Sequence, residues 1–125
     1  MKALKGFLGN QIKNKNVYLL LDNPSGEAYD PSNYLHGSRL SGFAVSQMKV
    51  VNNIANEQLK LRSELLEIAK EVNVKIIDPV DYLCHNSHCL NLDINGLPIY
   101  NDTNHLRASF IGKNASYIDV AILKK

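Results

Sequence analysis

The stretch Cys84–His105, CHNSHCLNLDINGLPIYNDTNH, decides how the rest of the chain is read. It holds both cysteines, a turn signal at Asn95-Gly96 and a closing Asp102-Thr-Asn-His105. If Asp102 caps a helix that begins at Thr103, residues three apart share one side of the first turn. The carboxylate then accepts a hydrogen bond from one imidazole nitrogen of His105 and leaves the other free as a base. Such a base ordinarily serves a serine or cysteine nucleophile. The bare spacing also fits a capping aspartate followed by an ordinary surface histidine, so its surroundings have to decide. Cys84, His85, His88 and Cys89 are all metal-ligand types, but one tight loop rarely wraps a tetrahedron. A disulfide across four intervening residues is easy to close and is the working reading, with two buried thiols as the remainder.

Ile77-Asp-Pro-Val-Asp-Tyr-Leu-Cys84, then Cys89, then Asn95-Gly-Leu-Pro-Ile-Tyr-Asn-Asp-Thr-Asn-His-Leu106 resembles the carboxyl-terminal half of an SGNH-type esterase domain. More narrowly, it is similar to the domain fused to membrane-bound sugar O-acyltransferases of the acyltransferase-3 family. There a strand leads into "D-P", a cysteine pair and "G-x-P-x-Y-x-D-x-x-H-L". Val17-Tyr-Leu-Leu-Leu-Asp-Asn-Pro24 and Asp30-Pro31 followed by Arg39 resemble the family's earlier strand and loop. The likeness covers about residues 15 to 122. It implies a three-layer α/β/α, flavodoxin-like fold with a short parallel sheet. It also implies Asp102 and His105 as catalytic residues, and it places the chain on the periplasmic side of the inner membrane.

With 125 residues, the chain is expected to form a single domain over 1–125 that buries about two thirds of its unfolded surface. Hydrophobic content of 45% and charged content of 21% are ordinary for a globular protein. The net charge is +2 with scattered Lys and Arg, which gives no nucleic-acid surface. Lys124-Lys125 reads as a helix end. No segment reaches the roughly 18 apolar residues of a membrane helix. The basic N-terminus lacks a continuous apolar core, so it is not read as a signal peptide. A disulfide nevertheless calls for an oxidising space. The two agree if the chain is the tail of a longer, membrane-anchored protein.

Leu4, Phe7, Leu8 and Ile12 repeat at helical spacing, which predicts a helix over residues 2–13. Val17–Leu21 is an uninterrupted apolar run of strand length, as in a parallel strand covered on both faces. Asp22-Asn23-Pro24 ends it. Residues 23–45 read as one long loop after a strand end, where ligands bind in parallel α/β sheets. Arg39 is its candidate substrate-binding cation, and His36 within it reads as solvent-facing. A helix is expected from Ser46 or Gln47 to about Val72. Its apolar stripe runs through Val51, Ile54, Ala55, Leu59, Leu65, Leu66, Ile68, Ala69 and Val72, with charges opposite. Val74–Ile77 completes a strand–helix–strand unit. Cys89–Asp93 and Leu97–Tyr100 should pair across a type I′ turn at Asn95-Gly96. His85 and His88 read as exposed turn residues. Short helices are expected over 106–111 and 117–123, interrupted at Gly112–Asn114.

The SGNH resemblance implies a serine in a Gly-Asp-Ser turn after a first strand, with Gly and Asn oxyanion donors in later blocks. No Gly-Asp-Ser occurs in this sequence. Ser25, Ser38, Ser41 and Ser46 lie in or beside the long loop, and Asn23 does not match the Asn block. The chain therefore reads as the carboxyl-terminal portion of such a domain, with the serine before Met1. The expected function is O-acyl transfer to, or ester hydrolysis on, a cell-envelope carbohydrate in the full-length parent. Its partners would be a carbohydrate acceptor, an acyl donor and the parent's membrane acyltransferase domain, with no metal or nucleotide cofactor. An open sheet edge would favour self-association into a homo-oligomer. The alternative is a non-catalytic remnant or interaction module that keeps the fold without the serine.

Overall fold

A computed structural model describes residues 1–45, 51–86 and 88–123. The predicted first helix is α1, Lys2–Gln11, with Leu8 buried on its inner face. The apolar run at 17–21 forms β1, Tyr18–Leu20. The expected long loop is more ordered than its composition implies. After two short 3-10 turns, β2 (Leu35–Ser38) and β3 (Gly42–Val45) pair antiparallel. A further short strand, β4, covers Val51–Asn52.

The long helix, α2, runs over Asn56–Glu71. Its expected start at Ser46 or Gln47 lies outside the described residues, and Val51 belongs to a strand. The stripe holds in the second half, where Ile68 and Ala69 are buried, but Leu59 is 41% exposed and falls off it. Asn73 ends the helix in the left-handed region, at φ 56. Its N–H reaches the Lys70 carbonyl, and the Val74 N–H reaches that of Ala69 at 2.9 Å. This paired termination satisfies two carbonyls left open at the helix end. The chain turns back at once into β5, Lys75–Ile77, which lies parallel to β1 with Leu19 opposite Ile76.

A parallel pair of this kind needs both faces covered. Leu8, Ile68, Ala69 and Val74 form a buried cluster on one face, with Val17, Leu19 and Ile76 packed against it. Lys5 pairs with Glu71 across α1 and α2. On the other side, Tyr18 and Ile77 border open grooves walled by Val120. The architecture is α/β, with a short parallel sheet between helices.

Asp78 follows β5 and is 5% exposed. One of its oxygens caps α3 (Val80–Leu83) through the Val80 N–H at 3.0 Å. The other takes the Arg62 Nε–H at 2.7 Å, which ties α2 to the strand end. β6 (Cys84–His85) and β7 (His88–Leu90) then form a tight hairpin, with Asn86 in its turn at φ 50. β4 pairs with the other edge of β7. Cys84 and Cys89 face each other in register and are joined in a disulfide. They belong to the second core, with Tyr29, Ile54, Leu83, Ile99 and Tyr100.

The Asn95-Gly96 hairpin differs in its turn type. Asn95 keeps a negative φ and only Gly96 is positive, at 73°, so type I′ is excluded. The Gly96 N–H instead donates to the Asp93 carbonyl at 2.9 Å, and the Asp93 carboxylate takes the Asn95 and Leu97 N–H groups. A turn led by aspartate replaces the one led by Asn-Gly. Pairing across it is a single bridge between Leu92 and Pro98. The last helices are also displaced: α4 covers Ala108–Asn114, straight through Gly112, and a 3-10 turn at Ser116–Ile118 leads into α5, Asp119–Ile122. Lys124-Lys125 lies outside the described residues.

Alkylation of unreduced protein should label neither cysteine, and labelling after reduction in denaturant should add two groups to the intact mass. Replacing both cysteines with serine should lower unfolding stability by about 2 kcal/mol in urea titrations. Full labelling without reductant would contradict the bond.

Candidate functional site

The segment Asn101–His105 is a bend, so the helix expected to begin at Thr103 does not form there. Asp102 makes the capping contacts without one. Its Oδ1 accepts the backbone N–H of Asn104 at 2.9 Å and of His105 at 2.8 Å. These bonds fold the segment back on its own carboxylate and bring the His105 ring to it. Nδ1 of His105 lies 3.0 Å from Oδ1 and 2.9 Å from Oδ2 of Asp102. An ionised carboxylate only accepts, so Nδ1 is the donor and Nε2 the nitrogen left with a lone pair. The His105 side chain is 76% exposed, so Nε2 is open to a group from another segment.

The three donors act on the charge state of Asp102. The backbone N–H of Asn104, then that of His105, then the His105 ring, hold its pKa down to about 2. Asp102 is therefore ionised across the neutral range and orients the imidazole as an anion.

The segment is fastened to the loop after β1. The Gly26 N–H donates to the Thr103 carbonyl at 2.8 Å. The Asn23 side chain donates to the Asn104 carbonyl at 3.0 Å and to that of Pro24 at 3.0 Å. Gln58, near the start of α2, donates to the Asn23 carbonyl and accepts from the Ser25 N–H. Beneath them the Tyr100 hydroxyl donates to the Pro24 carbonyl at 2.8 Å, with both side chains fully buried. Burial pushes the Tyr100 phenol up, and pushes that of Tyr29 up to about 12. The two rings pack 4.9 Å apart. On the far side, His105 C=O accepts from Asn101 N–H at 2.8 Å, and the Arg107 N–H reaches the Ile99 carbonyl. The Arg107 guanidinium bonds Asp93 at 2.7 Å, which fixes the neighbouring turn.

Asp102 and His105 are thus brought together, and Cys84 and Cys89 lie bonded in the core below. Both sulfurs are in the disulfide, so neither is a thiolate ligand for a metal. Arg39 stands at the exposed tip of the β2–β3 hairpin, and among the described residues no contact links it to the pair. The Ser38 and Ser41 hydroxyls bond each other at 2.9 Å in that tip. Among the described residues no serine hydroxyl is hydrogen-bonded to His105; Ser46 lies outside them. His36, His85 and His88 are exposed. Sequence reasoning missed Asn23, Gln58 and Tyr100. Tyr100 stands inside the G-x-P-x-Y-x-D run, and that spacing was its only signal.

Residues 7–111 match the family described as SGNH domain (fused to AT3 domains). The chain belongs to that family. No curated protein and no solved structure matches it. The family description sets the SGNH domain beside acyltransferase domains, which associates this chain with acyl transfer or ester hydrolysis and with a membrane acyltransferase as partner domain. Among the described residues no helix is long and apolar enough to cross a membrane.

Stability should follow the Asp102 carboxyl. Its folded pKa lies below the ordinary value near 4, so its bonds stabilise the fold above about pH 4 and are lost as pH falls toward 2. The gap in urea midpoint between wild type and Asp102→Ala should be largest at pH 6 and close between pH 4 and pH 2. A gap that stays constant over that range would contradict the assignment.

Proposed function

We propose that this chain is the acid–base portion of an SGNH domain that transfers an acyl group, most simply acetyl, to a cell-envelope carbohydrate, or hydrolyses such an ester. The observation behind this reading is the Asp102–His105 pair, with Nδ1 held by the carboxylate and the other ring nitrogen facing solvent. Nε2 of His105 takes the proton of a serine hydroxyl while the serine oxygen attacks the acyl carbonyl. The same proton goes to the leaving group as the acyl-serine forms. In the second half His105 removes a proton from the sugar hydroxyl, which attacks the acyl-serine, and the proton returns to the serine oxygen. The serine is supplied by a segment of the parent protein other than residues 1–125, because no Gly-Asp-Ser occurs within them. Residues 1–125 are the single-domain, later part of that fold. Arg39 contributes at the edge of the carbohydrate site. The parent works on the periplasmic side of the inner membrane, where the disulfide persists.

A second reading is favoured by the missing serine motif: a non-catalytic module that keeps the fold and docks on the acyltransferase. Self-association belongs to either reading. Leu20, Val120, Ile122 and Leu123 are each more than half exposed beside a two-stranded sheet with open edges. Light scattering at tens of micromolar should show a species larger than a monomer.

The two readings separate in cells. In the enzyme reading, His105→Ala in the parent protein removes ester-linked acyl groups from the envelope carbohydrate, measured by proton NMR of the released sugar. The loss should approach background, since removing the base of a serine hydrolase costs about a million-fold in turnover. Residues 1–125 alone should turn over an activated acetyl ester at the buffer rate, with or without His105. Unchanged acylation in the His105→Ala cells would leave the non-catalytic module standing.

A further inference from the structure

The peptide group between Asn104 and His105 is gripped at both ends. Its N–H points to Asp102 Oδ1 at 2.8 Å, and its carbonyl accepts the Asn23 side-chain amide at 3.0 Å. The orientation of this one peptide plane decides whether the N–H can reach Asp102 and where the His105 Cα–Cβ bond aims. Asp102 holds it from within the bend. Asn23 holds it from the strand-end loop, which is itself pinned by Gln58 to α2 and by Tyr100 to the core. The Nδ2 of Asn23 also reaches the Pro24 carbonyl at 3.0 Å, so the same amide spans its own loop and the bend.

We infer that Asn23 is a positioning residue for the Asp102–His105 pair: its amide sets the Asn104–His105 peptide plane and thereby delivers both the His105 N–H and the imidazole to the same carboxylate. The bend is local and half exposed, with the Asp102 side chain at 50% and His105 at 76%. A short exposed bend held only by its own contacts samples many peptide orientations. A donor from a loop anchored to the core through Pro24 and Tyr100, on the carbonyl side, removes that freedom. Leu, Ala or Val at position 23 leaves the Asn104 carbonyl to water and the peptide plane free to rotate.

The inference rests on the acid–base reading of the pair, but its test does not require turnover. Asp102 in the intact chain is followed by carbon-13 NMR of its carboxyl from pH 6 downward. Wild type should titrate near pH 2, where the two backbone N–H donors and the ring hold it. In Asn23→Leu the midpoint should rise by about one pH unit, a tenfold change in proton affinity, as the His105 donors drift off the carboxylate. Asn23→Ala serves the same purpose if the leucine does not fold. Ile68→Val, in the separate core between α1 and α2, controls for general loosening and should leave the Asp102 midpoint in place. An Asn23 variant that titrates like wild type would overturn the positioning role, as would an equal shift in Ile68→Val. If Asn23→Leu shifts Asp102 while His105→Ala leaves envelope acylation unchanged, the clamp stands and the chemistry falls.

Discussion

The carbonyls of Thr103 and Asn104 are held by the loop that leaves β1, through the Gly26 N–H and the Asn23 amide. The Asn23 contact joins residues 81 positions apart, and the candidate site depends on this junction. On one side stands a strand end in a parallel sheet, the usual place for a site in α/β proteins. On the other stands a five-residue bend with no helix or strand of its own. Tyr100 and Pro24 bury the floor beneath both. The disulfide sits in the same core cluster as Tyr100, so the cysteine hairpin packs in the core beneath the site.

Much of this was legible in the sequence wherever a strong local pattern agreed with the packing. The apolar run at Val17–Leu21 and the stripe ending at Val72 produced the parallel pair and its crossover helix, because a strand with no polar alternation must be covered on both faces. The Asp-x-x-His pairing was also readable, although the geometry behind it differs. Asp102 takes the N–H groups of a bend where a helix start was expected, because two N–H donors and a ring satisfy one carboxylate without further helical turns. Asn95-Gly96 misled for a comparable reason: Asp93, two residues earlier, accepts the turn's N–H groups and leaves only Gly96 in the left-handed region. Gly112 was read as a break, yet it lies within the helix to Asn114. A glycine costs about 1 kcal/mol there, too little to stop a short helix that the surrounding packing supports.

The contacts between loop and bend were not legible, because they are long-range and mostly backbone. Nothing in Asp22-Asn23-Pro24 announces that the asparagine will reach a carbonyl beside His105. The family match covers residues 7–111, which include the pair, and the pair lies against the loop that leaves the end of β1. The pair is a carboxylate bonded to Nδ1 of an exposed imidazole. What it lacks within this sequence is a Gly-Asp-Ser nucleophile.

The central claim is that Asp102 fixes the imidazole with Nδ1 as donor and Nε2 bare. Free neutral imidazole in histidine favours the opposite tautomer, with the proton on Nε2, so the claim has a direct signature. Long-range proton–nitrogen correlation of the neutral His105 ring reads the tautomer without any substrate. The account predicts a protonated Nδ1 and an Nε2 resonance of the unprotonated type, reverting to the Nε2-protonated form in Asp102→Ala. A ring already protonated at Nε2 in the wild type, or averaging between the two forms as in a free peptide, would contradict it.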